Sequence, residues 1–160
     1  HGEFYVGDLS QSYLHLHNEK LGLDQLRDLD LHQPSVELLT LSACQTALGS
    51  RSAELGFAGF AVLAGAKTSV ASLWNGSDEA AAGLMIEFYR QLRTAQPIIK
   101  AEALRQAQLA MIQGNITVDN DQLKGLVESR KLPDELVIEG QQELRHPYYW
   151  AAFSLVGSPW

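Results

Sequence analysis

The sequence predicts an α/β domain in which helices flank a mainly parallel sheet. Strand-length and helix-length segments alternate along the chain, and this order is typical of the class. Two strand-length apolar segments do not alternate cleanly between polar and apolar residues, which is typical of interior strands covered on both faces. With 46% hydrophobic residues in a chain of 160, and since one core usually serves about 100–200 residues, we expect a single domain.

The first half of the chain contains a hairpin and two buried strands. Residues 12–17 alternate between polar and apolar and are followed by a turn, so they predict a hairpin. Apolar runs at residues 36–41 and 68–74 predict the two strands. Between them, residues 53–64 have the length and composition of a helix, in which Gly56 and Gly59 permit close packing.

The clearest predicted helix follows the second strand. Ser77 is its expected cap, and Asp78 and Glu79 favour the positive end of the helix dipole. The helical period predicts one buried face. That face comprises Leu84, Met85, Phe88, Tyr89 and Leu92.

The last third of the chain contains one further helix and one further strand. Residues 100–113 predict a helix that stops at Gly114. Residues 115–145 are polar and predict an excursion with one short helix, and residues 151–157 predict a third buried strand. The apolar stripe of the helix is Leu104, Ala107 and Met111.

The charge and hydropathy patterns exclude several partners. Nineteen acidic against twelve basic residues give a net charge of −7, whereas nucleic-acid backbones bind clustered Lys and Arg. No apolar run reaches the roughly 18 residues of a membrane span, and no signal peptide is recognisable. We therefore expect a cytoplasmic protein without nucleic-acid or membrane partners. No glycine-rich phosphate loop follows a strand, which disfavours a nucleotide-binding domain.

The single cysteine, Cys44, is the first candidate for chemistry. One cysteine excludes an internal disulfide and a multi-thiolate zinc site. It follows the end of a predicted buried strand, where open α/β sheets place reactive groups, and Ser42 and Ala43 leave room for a substrate. A small buried hydrophobe remains the alternative.

A nucleophilic thiol needs a base, because its ordinary pKa of about 8.5 leaves little thiolate at neutral pH. His32 lies in a polar loop, and His146 precedes the aromatic segment 148–150, which is better explained by packing. His15 and His17 share a strand face, but with no third ligand nearby a polar face is more common than a metal site. His1 remains. It precedes Gly2, whose backbone N–H can approach a carbonyl oxygen closely.

Five blocks, in order, resemble the CHAT family of caspase-like and separase-like cysteine peptidase domains. This family is usually attached to tetratricopeptide repeats and is common in cyanobacteria and other bacteria. The resemblance covers nearly the whole chain. The blocks are HG at 1–2, LSACQTA at 41–47, GFAVLAGAK at 59–67, VASLW at 70–74 and HPYYWAAF at 146–153.

The resemblance implies a caspase–haemoglobinase fold, a three-layer sandwich, and a Cys–His dyad of Cys44 and His1. It makes the Gly2 and Cys44 N–H groups the oxyanion donors and places Trp74 in the specificity pocket. Asp78 matches an acidic position in the corresponding segment of separases, which cut after arginine. A capping acid at the start of a helix is the alternative for Asp78. No metal or organic cofactor is implied.

The family's catalytic half begins upstream of the histidine, so the resemblance implies that N-terminal strands lie outside this chain. Residues 1–160 would then be the C-terminal catalytic portion of one domain. Its expected partners are a protein or peptide substrate and upstream tetratricopeptide repeats. A non-catalytic interaction or signalling domain with the same fold is the alternative function.

Overall fold

A computed structural model of the chain describes residues 2–3, 5, 9–42, 56–74, 76–94, 96–119, 122–124, 130–131 and 141–160. The chain divides into two compact units. The first unit comprises residues 1–75 and 153–159, and the second comprises residues 76–152 and Trp160. The interpretation of residues 1–160 as one catalytic portion stays a prediction.

Short strands and longer helices make up both units. The strands are β1 (Gly2–Glu3), β2 (Tyr13–His15), β3 (Lys20–Gly22), β4 (Leu39–Leu41), β5 (Thr68–Ser72), β6 (Thr117–Asp119), β7 (Gln122–Lys124), β8 (Arg130–Lys131), β9 (Gln141–Glu143) and β10 (Phe153–Gly157). The helices are α1 (Leu23–Arg27), α2 (Gly56–Leu63), α3 (Asp78–Thr94), α4 (Lys100–Ile112) and α5 (Pro147–Trp150), with one 3₁₀ turn at Leu9–Gln11.

The first unit contains two three-stranded sheets. In one, β2 pairs antiparallel with both β1 and β3, which confirms the predicted hairpin. In the other, β5 lies between β4, with which it is parallel, and β10, with which it is antiparallel. The α/β class is therefore confirmed. A three-layer sandwich with a mainly parallel sheet stays a prediction, since one of the seven pairings among the described residues is parallel.

Two predicted strands of this unit are longer than the observed ones. Residues 36–38 do not continue β4, because the Val36 N–H donates to Leu31 O at 3.0 Å and Val36 O accepts from Lys67 N at 2.9 Å. These bonds direct the backbone of Val36 into a loop. The strand predicted at residues 68–74 ends at Ser72.

Helix α2 lies within the segment predicted to be helical. It packs against α1 and against the strands β4, β5 and β10. Gly56 and Gly59 are both buried, as their predicted packing role requires, and the side chain of Phe57 is fully buried. Residues 53–55 lie outside the described residues.

The helical pair α3 and α4 forms the centre of the second unit. Leu84 and Phe88 on α3 are fully buried, as predicted, but Tyr89 is 46% exposed, so its predicted place on the buried face is wrong. The aromatic ring of Tyr89 instead packs against Phe88, with ring centroids 5.4 Å apart. On α4 the predicted stripe is confirmed. Its members Leu104, Ala107 and Met111 are buried.

The helix signals at Ser77 and Gly114 are both confirmed. The Ala80 N–H donates to the hydroxyl of Ser77 at 3.2 Å, which is the geometry of an N-cap. Gly114 follows α4 with a φ of +73°, and its N–H donates to Met111 O at 2.9 Å. This left-handed residue ends the helix, as glycine commonly does.

The polar segment 115–145 differs from its prediction. Its described residues form the strands β6 to β9, joined in the antiparallel order β8-β7-β6-β9, where the sequence predicts one short helix. The strands are two or three residues long. Such short polar strands leave no hydrophobic period in the sequence.

The aromatic segment 147–150 forms the short helix α5 and contacts α3 and α4. His146 caps it, since its Nδ1 accepts from the Tyr148 N–H at 3.2 Å. Tyr148 is 47% exposed and Trp150 is half-buried, so the segment is packed on one side and does not enter the core. The indole N–H of Trp150 donates to Arg145 O at 3.0 Å.

Among the described residues, no helix combines the length and apolar character needed to cross a bilayer.

Candidate active site

The carboxyl ends of β4 and β5 lie together at one end of the sheet β4-β5-β10, which we call the sheet edge, and Ser42, the last described residue before the predicted nucleophile in the sequence, lies there. Because β4 and β5 are parallel, with Leu41 opposite Ala71, both strands end at the same edge. Ser42 leaves β4 at this edge and is exposed, and Leu73 and Trp74 leave β5 beside it. Open α/β sheets bind ligands at this end of their strands.

The antiparallel strand β10 begins at the same edge. Phe153 lies opposite Ser72 in the register, and its ring is 6% exposed. Trp74 is half-buried, and Leu73 is 37% exposed. The sheet edge at which Ser42 is exposed thus also carries the apolar residues Leu73, Trp74 and Phe153.

Small residues and satisfied hydroxyls hold the central strand in place. All five residues of β5 are buried. The Thr68 hydroxyl donates to Ser158 O at 2.6 Å, and the Ser69 hydroxyl donates to Leu39 O at 3.2 Å. A buried hydroxyl without such a partner costs stability, so these bonds allow polar residues inside the sheet. They fix β5 against both of its neighbours.

The strand that pairs with Gly2 shares a core with β4, the strand that ends before Ser42. In β1, Gly2 lies opposite Leu14 of β2. Leu14 and Leu41 belong to one cluster of buried side chains, which are 8% and 9% exposed respectively. The hairpin and the sheet edge are therefore joined through one hydrophobic core.

The predicted site residues differ in what the structure says of them. His1 and Cys44 lie outside the described residues, so the dyad stays a prediction. Gly2 is placed as part of β1, and Trp74 follows β5 at the sheet edge. Asp78 is exposed and is the first residue of α3.

The surroundings of Asp78 are those of a capped helix N-terminus. The hydroxyl of Ser77 accepts from Ala80 and donates to a carboxylate oxygen of Glu79. Two acids in the first turn complement the helix dipole. The bond from Ser77 explains the acid at position 79. Asp78 can be either an acid of the specificity pocket or a capping acid in this arrangement.

A polar cluster next to Gly2 is absent from the sequence prediction. We define the Glu3 cluster as Glu3, Tyr5, Tyr13, His15 and Lys20. The Tyr5 hydroxyl donates to Glu3 Oε2 at 2.9 Å, and His15 Nε2 lies 3.7 Å from Glu3 Oε1. The Lys20 ammonium lies 3.8 Å from the centroid of the Tyr13 ring, which in turn meets His15 edge-on at 4.9 Å between centroids.

The Glu3 cluster keeps its carboxylate ionised. Hydrogen bonds from Tyr5 and then Tyr13 lower the pKa of Glu3 below its ordinary value, because they stabilise the charged form. The same bond raises the pKa of Tyr5, since the carboxylate disfavours a second negative charge. The signal was present in the sequence, as Tyr13, His15 and Lys20 share one face once the turn at 16–19 sets the register.

The remaining histidines lie in surface positions. His32 is exposed in its loop, with Nδ1 3.5 Å from Asp30 Oδ1, as the solvated-loop prediction expects. His17 lies in the turn after β2, so the prediction that it shares a strand face with His15 is wrong. Within the described ranges, no group of three or more His, Cys, Asp or Glu residues could hold a metal ion.

Two comparisons with known proteins bear on this site. The sequence matches the family model described as CHAT domain over residues 1–158. A comparison with curated proteins gives no significant match. The family match covers the residues of the sheet edge, the segment around Cys44 and the start of the chain at His1.

Proposed function

Because the chain belongs to the CHAT domain family, a caspase-like family related to peptidases, we propose that it is a cysteine endopeptidase. Cys44 is the nucleophile and His1 is the general base. The observation that carries the proposal is the shared core of Leu14 and Leu41. Leu14 is paired with Gly2, next to His1, and Leu41 precedes Cys44 by three residues.

The proposed reaction proceeds through a thioester. His1 accepts the thiol proton of Cys44, and the sulfur attacks the peptide carbonyl carbon. The backbone N–H groups of Gly2 and Cys44 stabilise the oxyanion, and each such donor typically contributes about 10²–10³ in rate. Collapse of the intermediate breaks the C–N bond, and His1 protonates the leaving amine. Water then attacks the thioester, releases the acid product and restores the thiol.

We propose that the substrate is a protein cut after a basic residue. Trp74 is half-buried at the sheet edge where β4 and β5 end, a position that supports its proposed role in the wall of a pocket. Asp78 is exposed, and a carboxylate in the pocket would form a charge-assisted hydrogen bond with Arg or Lys. The three-layer caspase–haemoglobinase sandwich, a cytoplasmic location and upstream tetratricopeptide repeats belong to this proposal through the family resemblance.

The dyad is tested by covalent labelling of the full-length protein with an acyloxymethyl ketone that follows a short peptide ending in arginine. We expect labelling of the native wild-type protein and none of Cys44→Ala, with labelling of His1→Ala slower by at least 10²-fold. A heat-denatured wild-type sample controls for nonspecific thiol reactivity. Labelling of native and denatured protein at equal rates would support the non-catalytic interaction domain instead.

The specificity is tested with a peptide library on the same protein. We expect cleavage after Arg or Lys, weakened about 10- to 100-fold by Asp78→Asn, which corresponds to one charge-assisted hydrogen bond. Glu79→Gln is the matched control, because it neutralises the neighbouring acid, whose carboxylate bonds Ser77. A preference for Asp or for an apolar residue would leave Asp78 as a capping acid only.

A further inference from the structure

The two-residue strand β1 depends on side chains for much of its attachment. Gly2 and Glu3 pair with Leu14 and Tyr13 of β2, and a ladder of two residues supplies few backbone bonds. The Tyr5 N–H adds one bond to the hydroxyl of the fully buried Ser12 at 2.9 Å. Beyond these backbone contacts, the Glu3 carboxylate ties the strand to β2.

The carboxylate of Glu3 contacts a residue that follows β1 and a residue of β2. It accepts from Tyr5 on its own chain segment and lies 3.7 Å from His15 of β2. The Lys20 ammonium lies over the Tyr13 ring at 3.8 Å on the same face. The negative charge of Glu3 is thus set among the hydroxyls of Tyr5 and Tyr13 and the imidazole of His15, which favour its ionised form.

Chain connectivity limits how far the backbone of Glu3 can lie from that of the proposed base. Two residues span at most about 7 Å of extended chain, and Glu3 follows His1 by two positions. From this placement, and resting on the proposed function, we infer that Glu3 is a positioning residue: it holds the segment bearing His1 and Gly2 and sets the pH range over which the dyad is reactive.

The sign of the effect follows from electrostatics. A negative charge near the dyad raises the pKa of every nearby acid, whether imidazolium or thiol, because it stabilises the protonated form. Removing the charge therefore moves the whole pH profile to lower pH. Lys20 remains as a positive neighbour and pushes in the same direction. Two charges about 7 Å apart in water interact enough to shift a pKa by roughly 0.4 units.

The test is the pH dependence of alkylation of Cys44 by iodoacetamide in the full-length protein, followed by peptide mass spectrometry. Glu3→Gln keeps an acceptor for the Tyr5 hydroxyl and removes the charge. Glu19→Gln, in the turn of the same hairpin, is the matched control for net charge. We expect the profile midpoint of Glu3→Gln to fall by about 0.3–0.5 units while Glu19→Gln stays within about 0.1 units of the wild type.

Each outcome has one meaning. The wild type is measured first, and a midpoint at the ordinary thiol pKa of about 8.5 would reject the proposed function itself. With a perturbed wild-type midpoint, equal midpoints for Glu3→Gln and Glu19→Gln would overturn the role of Glu3. If Glu3→Gln has a lowered melting temperature, Tyr5→Phe replaces it: alkylation slowed about 2- to 10-fold, as for one lost hydrogen bond, supports the inference, and a wild-type rate overturns it.

Discussion

The two compact units are stabilised by interactions of different range. In the first unit, backbone bonds connect segments far apart in sequence: the Lys67 N–H donates to Val36 O at 2.9 Å, and Lys67 O accepts from Ser158 N at 2.8 Å. Among the described residues of the second unit, most polar side-chain contacts join residues no more than four positions apart. The difference shows why helix ends in the second unit could be predicted and strand ends in the first could not.

The local contacts of the second unit repeat one motif on two helices. On α3, Glu87 accepts hydrogen bonds from Arg90 and Gln91. On α4, Glu102 accepts from the residues three and four positions later, again Arg and Gln. The motifs differ in burial, because Glu87 is 4% exposed whereas 45% of the Glu102 side chain is exposed.

The largest expected effect sharpens the comparison between the units. Gly157 has a φ of +101°, and a Cβ there would lie well inside van der Waals contact with the backbone carbonyl of Lys67. That carbonyl is fixed by its bond from Ser158. We expect Gly157→Ala to lower the free energy of unfolding by about 2–4 kcal/mol, measured by urea denaturation.

Gly114→Ala is the matched control in the second unit. Gly114 also has a positive φ, but an added Cβ would meet the guanidinium end of Arg145, a flexible side chain that can move away. Its loss should be limited to the cost of a left-handed alanine, about 1–2 kcal/mol. Equal losses in the two variants would contradict the view that long-range backbone contacts make the first unit less tolerant.

The next effect compares the two motifs of the second unit. Glu87→Ala removes the acceptor of Arg90 and Gln91 at a buried position, and we expect a loss of about 1–3 kcal/mol in the free energy of unfolding. Glu102→Ala should cost less, because exposed ion pairs contribute little. Alanine favours a helix at both sites, so its propensity cancels in the difference. A greater loss for Glu102→Ala would refute the dependence on burial.

The smallest effect is the acid sensitivity of α4. Hydrogen bonds from Arg105 and then Gln106 lower the pKa of Glu102 from 4.5 to about 2. A depressed folded-state pKa means that this stabilisation is complete above pH 4.5 and is lost as the pH falls toward 2. Melting temperatures of Glu102→Gln, followed by far-UV circular dichroism, should therefore fall less steeply than those of the wild type over this interval. High salt should reduce the difference in slope between the two proteins. Equal slopes for Glu102→Gln and the wild type would argue against a contribution of Glu102 to the acid sensitivity.

The elements predicted correctly carry local signals. The cap at Ser77 and the end of α4 at Gly114 depend on residues within one helical turn, so the sequence contains all that they need. The error at Tyr89 has another cause, because its helical phase is right but its exposure of 46% is decided by tertiary packing, which the helical period does not report. The strand end before Leu39 depends on the bond from Lys67, which no local pattern records.

The candidate site was predictable to a similar degree. The apolar runs at residues 36–41 and 68–74 predict two buried strands, and the parallel register of β4 and β5 shows that the two strands end together, whereas the placement of Cys44 stays a prediction. Glu3 was missed because its importance depends on pairing across two strands. A single acidic residue next to a glycine forms no sequence motif from which this pairing could be predicted.

The two backbone hydrogen bonds of Lys67 connect the strands without any requirement for a particular side chain at position 67. Both bonds are made by main-chain atoms, so they do not depend on which side chain residue 67 carries. Proline is the exception, because it lacks the N–H that donates to Val36 O. Position 67, at the end of the sheet opposite Ser42 and Trp74, can thus accept substitutions without loosening the strands, whereas Gly157, which packs against the Lys67 carbonyl, cannot. Variation in the loops at the Ser42 end can then retune a binding surface on a frame that stays the same.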